Sequence, residues 1–167
     1  VMYSGQKKKY GGRLGEKPSI PLSKRMYGMG LPMGRLKTGT PPRIKLSSLN
    51  LEVMDEQPGD LPTPFMSSLQ KQHAHPKQLS CYITRTSATT KKIIEEDLHL
   101  SAMYSGQIHG IGPRYCPSIE DKVVKFKNQD THQVFIEPEG VNTDLVYPNG
   151  LSRSLPADTQ DQFVRTI

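Results

Sequence analysis

The sequence predicts an α+β fold built on a mixed, partly antiparallel sheet with flanking helices, and three observations carry that expectation. Strand-like runs at Cys81 to Thr84, His132 to Glu137 and Leu145 to Tyr147 are separated by short turns as well as by helical stretches, the arrangement that builds such sheets. Glycine and proline contribute 14 residues each to a chain of 167, which favours many turns over long regular elements and argues against a helical bundle. Hydrophobic residues are 34% of the chain and mean hydropathy is −0.57, so the core is thin and one domain is expected, or one domain with part of another.

In chain order, Gly11 to Pro42 is dense in glycine, proline and basic residues and reads as ordered loops around one short helix. That helix starts near Ser19-Ile20-Pro21-Leu22, because proline is tolerated in a first turn, and stops at Gly28. Thr38-Gly39-Thr40-Pro41-Pro42 enforces extended or turn geometry. Leu46 to Val53 alternates apolar and polar residues in part, which predicts a strand. Gln57 to His75, with Pro58-Gly59, Pro62 and Pro64, is expected to be a long surface loop.

The Cys81 to Thr84 strand feeds a helix capped by Ser87 or Thr89 and running through Leu98, with Ile93, Ile94 and Leu98 on one side. Met103 to Ile111 is punctuated by glycine. Ser118 is a helix N-cap with Glu120 and Asp121 in the first turn, and Val123-Val124-Lys125-Phe126 either continues that helix or begins a strand. The strand from His132 to Glu137 ends at Pro138-Glu139-Gly140, that from Leu145 to Tyr147 ends at Pro148-Asn149-Gly150, and Ala157 to Ile167 reads as a helix.

Charge divides the chain. Eleven Lys and Arg precede Leu46 against one acid, Glu16, so that segment carries +10, while the remaining 121 residues carry −4. The field at the first quarter points either to a polyanion partner or to a solvated basic face. No apolar run approaches the ~20 residues that span a bilayer, and the start Val1-Met2-Tyr3-Ser4-Gly5 has no signal-peptide character, so a soluble piece of something longer is expected. Two cysteines, Cys81 and Cys116, make no disulfide framework, which fits a reducing, cytoplasmic compartment and no membrane.

Among short motifs, Gly28-Met29-Gly30-Leu31-Pro32-Met33-Gly34 has the wrong spacing for a dinucleotide fingerprint and lacks a strand before it and a helix after it. His73-Ala74-His75 with Cys81 lacks a further ligand at fixed spacing, so no metal site is expected. His99, His109 and His132 have no nucleophile nearby in sequence. Cys116 differs in kind. It lies two residues after Arg114 and just before a capped helix start, surroundings that favour the thiolate over a free thiol of pKa ~8.5. It reads either as a nucleophile or as a small buried hydrophobe, and the helix start beside it reads equally as an anion site. Cys81, in the apolar run Leu79-Ser80-Cys81-Tyr82-Ile83, reads as structural.

Two longer segments go further. Gly34-Arg35-Leu36-Lys37-Thr38-Gly39-Thr40-Pro41-Pro42-Arg43-Ile44 and Gly112-Pro113-Arg114-Tyr115-Cys116-Pro117-Ser118-Ile119-Glu120-Asp121-Lys122-Val123-Val124-Lys125-Phe126 resemble the MnmG family, also called GidA. Further matching stretches are Gly11-Gly12-Arg13 with Gly15-Glu16, Pro18 to Ser23, Met103-Tyr104-Ser105-Gly106, His132-Gln133, Glu137 to Gly140 and Tyr147 to Gly150, so the resemblance covers essentially the whole chain.

The resemblance implies the central stretch of a longer FAD-dependent enzyme that modifies the wobble uridine of tRNA with a 5-carboxymethylaminomethyl or aminomethyl group. It implies FAD, NADH and a methylene-tetrahydrofolate carbon donor, the GTPase partner MnmE, and a homodimer within a heterotetramer. Residues 1–46 correspond to the basic, Gly/Pro-rich part of the FAD domain and residues 47–167 to an inserted domain with the candidate NAD site. Similarity assigns NAD contact to Gly112 through Phe126, a catalytic part to Cys116 and flavin contact to Ser19. Arg13, Arg35, Lys37 and Arg43 are candidates for tRNA or cofactor phosphates. The segment alone is expected to be inactive.

Three departures from the family pattern stand out: Lys7-Lys8-Lys9-Tyr10 resembles an insertion, Lys91 replaces a usual histidine, and Arg153 a usual small threonine. The competing expectations are a non-catalytic nucleotide- or RNA-binding module and a scaffold for dimerisation.

Overall fold

A computed structural model describes residues 1–12, 15–70, 75–112 and 114–167. Its centre is a five-stranded sheet of β3 (Ile44–Lys45), β4 (Asp55–Gln57), β5 (Cys81–Arg85), β6 (Gln133–Pro138) and β7 (Leu145–Asn149), in the order β3-β7-β6-β5-β4. Every pairing in it is antiparallel, whereas a mixed sheet was expected. The parallel pairing found is an isolated bridge between Leu36 and Ile111. The α+β class holds, with helices gathered on one face of an antiparallel sheet.

Register decides which side chains reach the core. Tyr82 pairs with Ile136, which pairs with Pro148, and Thr84 pairs with Val134, so these residues share one face. Helices α2 (Ala88–Glu96), α3 (Ile119–Lys125) and α4 (Ala157–Val164) supply Ile94, Ile119, Val123 and Phe163 to a core shared with Val134, Ile136, Val146, Leu151 and Leu155. Each such side chain contributes roughly 1.5–3 kcal/mol by leaving water. Ser87 and Ser118 close capping boxes on α2 and α3 with Thr90 and Asp121, so both helix starts lie where the sequence puts them. Helix α1 (Ile20–Gly28) also forms as expected and buries none of its residues.

Leu46 to Val53 is a correction. It forms two 3-10 turns, Leu46–Ser48 and Leu51–Val53, instead of a strand. Ser47 gives its backbone N–H and hydroxyl to the Asp144 carboxylate, and the Asn50 side chain accepts from Glu52 N–H. Local polar bonds of this kind outcompete a ladder. Strands form on either side instead, including the acidic edge strand β4, whose charged residues blunt the sheet edge. Helix α2 stops at Glu96, and Leu98 lies in a following 3-10 turn. Both strand-ending prolines fall inside their strands. At Pro148 this is tolerated because β3 extends along β7 only as far as Val146.

The first residues form a hairpin of β1 (Met2–Ser4) and β2 (Lys7–Lys9). It is stitched to the body: Gly5 N–H donates to Ser154 O at 2.9 Å. Thr40 bridges Arg153, and a Cβ at Gly39 would meet Arg153 N at 2.9 Å, so only glycine allows that approach.

Candidate functional site

The turn ahead of α3 carries the residues singled out by sequence. Arg114 lies 5.2 Å over the Tyr115 ring, Tyr115 is 86% exposed, and the Cys116 thiol is exposed. Cys116 is therefore not sealed in the core. Pro113 lies outside the described residues. Gly112 is open, the nearest atom to an added Cβ being Lys37 Cε at 3.8 Å, while Lys37 N–H donates to Ile111 O.

A further cation near this turn, Lys122, belongs to α3. Lys122 donates from Nζ to Gly150 O at 3.0 Å and is half-buried. Burial lowers its pKa, and the charge of a Cys116 thiolate opposes that shift. Arg114, the partner that sequence order indicates, is instead stacked on Tyr115. Most amides at the start of α3 are already used: Ile119 N–H donates to Ser152 O and Asp121 N–H to the Ser118 hydroxyl. An anion held beside Cys116 would therefore draw on side-chain cations more than on this helix start.

Beneath the turn lies a polar knot. Glu120 is fully buried, and its Oε1 accepts from Ser154 N–H at 2.7 Å and from the Ser154 and Ser101 hydroxyls at 3.2 Å. Asp121 accepts from Tyr104 OH at 3.1 Å, and burial together with that carboxylate pushes the phenol well above its ordinary pKa. Since Ser154 O also takes the Gly5 and Ala102 amides, the knot ties the hairpin, the 101–105 turn and the thiol-bearing turn to one anchor. The sequence places Glu120 and Asp121 in a helix first turn but carries no signal for the burial of Glu120.

The other candidates scatter. Ser19 is exposed before α1 and makes no side-chain cap bond. Arg35 is exposed and Lys37 half-buried. Arg43 is engaged internally, ion-paired with Glu139 and 4.5 Å over the Tyr147 ring, with Nη1 donating to Pro41 O at 3.1 Å. Arg13 and His73 lie outside the described residues, and the His75 ring stacks on Phe65 at 4.6 Å. Cys81 is half-buried, and burial followed by the Glu137 charge pushes its thiol pKa up, as suits a structural residue. The glycine-rich loop follows α1 and has no strand leading into it, unlike a dinucleotide fingerprint. A cavity of about 210 Å³ lies at the other end of the core, lined by Leu49, Met54, Leu151 and Ile167 among others, with no residue of the 112–126 run.

His132 adds a pH dependence. Its Nε2 is buried with no partner among the described residues, its ring is tilted 6.4 Å from Phe126, and burial, then Lys122, then Lys91 lower its pKa. Below its ordinary value of 6.5 the unfolded chain takes up a proton that the folded chain refuses. Stability is therefore whole above that pH and declines as pH falls toward the lower folded-state value. His132→Leu is expected to flatten this part of the profile. Denaturant midpoints of wild type and variant at pH 5 and pH 7.5 check it, and parallel profiles would show that His132 does not contribute.

The family model described as glucose inhibited division protein A matches residues 1–167. Among solved structures, Aquifex aeolicus GidA in its form I crystal is similar at 45% identity and TM-score 0.81, over 99% of this chain and 29% of that one. The form II crystal is similar at 41% identity and TM-score 0.79, over 99% of this chain and 26% of that one. The chain thus spans less than a third of the length of the proteins it matches.

Proposed function

The chain belongs to the glucose inhibited division protein A family, and on that premise we propose that it is the central part of a flavoenzyme acting on the wobble uridine of tRNA with a GTPase partner of the MnmE type. The observation that carries the reading is the exposed Cys116 thiol in the turn ahead of α3, in a chain that matches the family along its whole length. FAD and NADH would supply reducing equivalents, and methylene-tetrahydrofolate the one-carbon unit. The residues fit a dinucleotide in one respect: Gly112 is open beside Lys37, and Arg114 is exposed, giving an accessible backbone and two cations for its phosphates. The intact protein is read as a cytoplasmic homodimer, and no described helix is long and apolar enough to cross a membrane.

The chemistry asked of Cys116 follows from uracil. Carbon 5 is a poor nucleophile until something adds at carbon 6. The thiolate sulfur bonds to carbon 6, and the electron pair of the 5,6 double bond moves onto carbon 5 and the adjoining carbonyl. Carbon 5 would then bond to the electrophilic methylene carbon of an iminium, whose carbon–nitrogen π pair moves onto nitrogen. Loss of the carbon 5 proton re-forms the double bond and expels the thiolate. The knot under Glu120 holds the turn in place.

Hydrogen exchange on the full-length protein tests the cofactor part. NADH is expected to slow amide exchange across 112–126, and unchanged exchange there with NADH bound would move the site elsewhere. Nucleoside analysis of tRNA treated with the full-length protein, its GTPase partner and cofactors tests the reaction. Unmodified uridine under conditions where FAD is reduced would reject it.

A further inference from the structure

We propose that the β1–β2 hairpin is a phosphate-contacting ribbon that lies between two backbone tracks of a folded RNA, with Lys7 and Lys9 reaching one track and Lys8 the other. The inference rests on the RNA-acting reading above and adds to it a contact element remote in sequence from the thiol. Strand β2 consists of three exposed lysines, and among the described residues none of them is in an ion pair. Lysine is a poor strand former and adjacent ammonium groups repel, so local chemistry does not favour this strand.

The strand is held from outside instead. Gly5 opens the two-residue turn at φ +55°, a left-handed value that glycine adopts without strain. A Cβ there would meet Pro156 Cγ at 2.7 Å, so the turn is pressed onto the body. Gly5 N–H donates to Ser154 O, and Arg153 Nη1 donates to Ser4 Oγ at 3.3 Å. The three cations are consequently presented on a fixed support, which lowers the ordering cost of binding.

Alternation along the strand puts Lys7 and Lys9 on one side and Lys8 on the other. Lys8 Nζ stands 5.7 Å from the Tyr3 ring centroid and 5.6 Å from that of Tyr10, which confines it to that side. An anionic surface laid against one side would leave the other side's charge unused. A narrow two-stranded ribbon between two phosphate tracks uses all three, and folded RNA offers such tracks on either side of a groove. The rest of the first 46 residues, at +7 without these three lysines, adds attraction of the same sign.

Salt-dependent tRNA binding by the full-length protein tests this, comparing wild type with K8A, K7A/K9A and K7A/K8A/K9A. Exposed lysines leave the fold intact, which thermal melts confirm. The triple variant is expected to show a log K against log salt slope about 2–3 shallower than wild type. Wild type should then lose about 40-fold more affinity than the triple variant between 50 and 200 mM salt. K8A and K7A/K9A should each account for part of this, and the effect should shrink on an unstructured single-stranded RNA of equal length. Equal slopes in wild type and triple variant would overturn the contact. An effect confined to one side, or equal on single-stranded RNA, would overturn the two-track geometry. Retained tRNA slopes alongside a loss of binding to an acidic protein partner would assign the hairpin to that partner. Failure of the wild type to bind tRNA at all would overturn the parent reading instead.

Discussion

Cys116→Ser in the full-length enzyme is expected to bring uridine modification to background while leaving bound-FAD absorbance unchanged. The substitution exchanges a thiol for a hydroxyl, a far poorer nucleophile that stays neutral under assay conditions, so the nucleophile is lost with little change in shape. Because Cys116 is exposed and makes no core contact, the fold has no reason to respond. Size separates two roles. A residue that only moves a proton costs about 10²–10⁴-fold when removed, whereas loss of the covalent step leaves no turnover. Activity within tenfold of wild type would remove Cys116 from the chemistry.

The second large effect concerns stability. Phe163 on α4 has no solvent exposure and packs among Ile94, Leu151 and Leu155, so Phe163→Ala is expected to cost about 3–5 kcal/mol. Helix α4 is otherwise tied by few polar bonds, among them Thr159 Oγ1 to the Asp97 carboxylate at 2.5 Å. Denaturant unfolding of the full-length protein, followed through amide exchange in β6, measures the loss. A change below about 1 kcal/mol would show that the core re-closes around the missing ring. Phe163→Leu, which retains most of the apolar volume, should recover much of the stability.

These effects fall on residues of unequal legibility. Cys116 could be picked out from its neighbours because a thiol beside an arginine and a capped helix start is a local chemical statement. The caps Ser87 and Ser118 could be read for the same reason, since a hydroxyl three residues from its acceptor amide needs no tertiary information. Leu46 to Val53 misled because its partial alternation is a strand pattern, while the group that bends it, Asp144, is 97 residues away. The hairpin at Lys7 to Lys9 could not be read, because what holds it lies at Ser154 and Pro156.

Composition, charge division and local motifs alone establish an α+β chain with a strongly basic first quarter, capped helices at Ser87 and Ser118, and a thiol worth testing. Folding decided that the Cys116 thiol stays exposed, that Glu120 is buried in a knot of serine donors, and that three lysines are held on a ribbon. The physical reason is range. Caps, turns and side-chain alternation act over a few residues and are written locally, whereas burial and charge pairing depend on groups brought together across the chain.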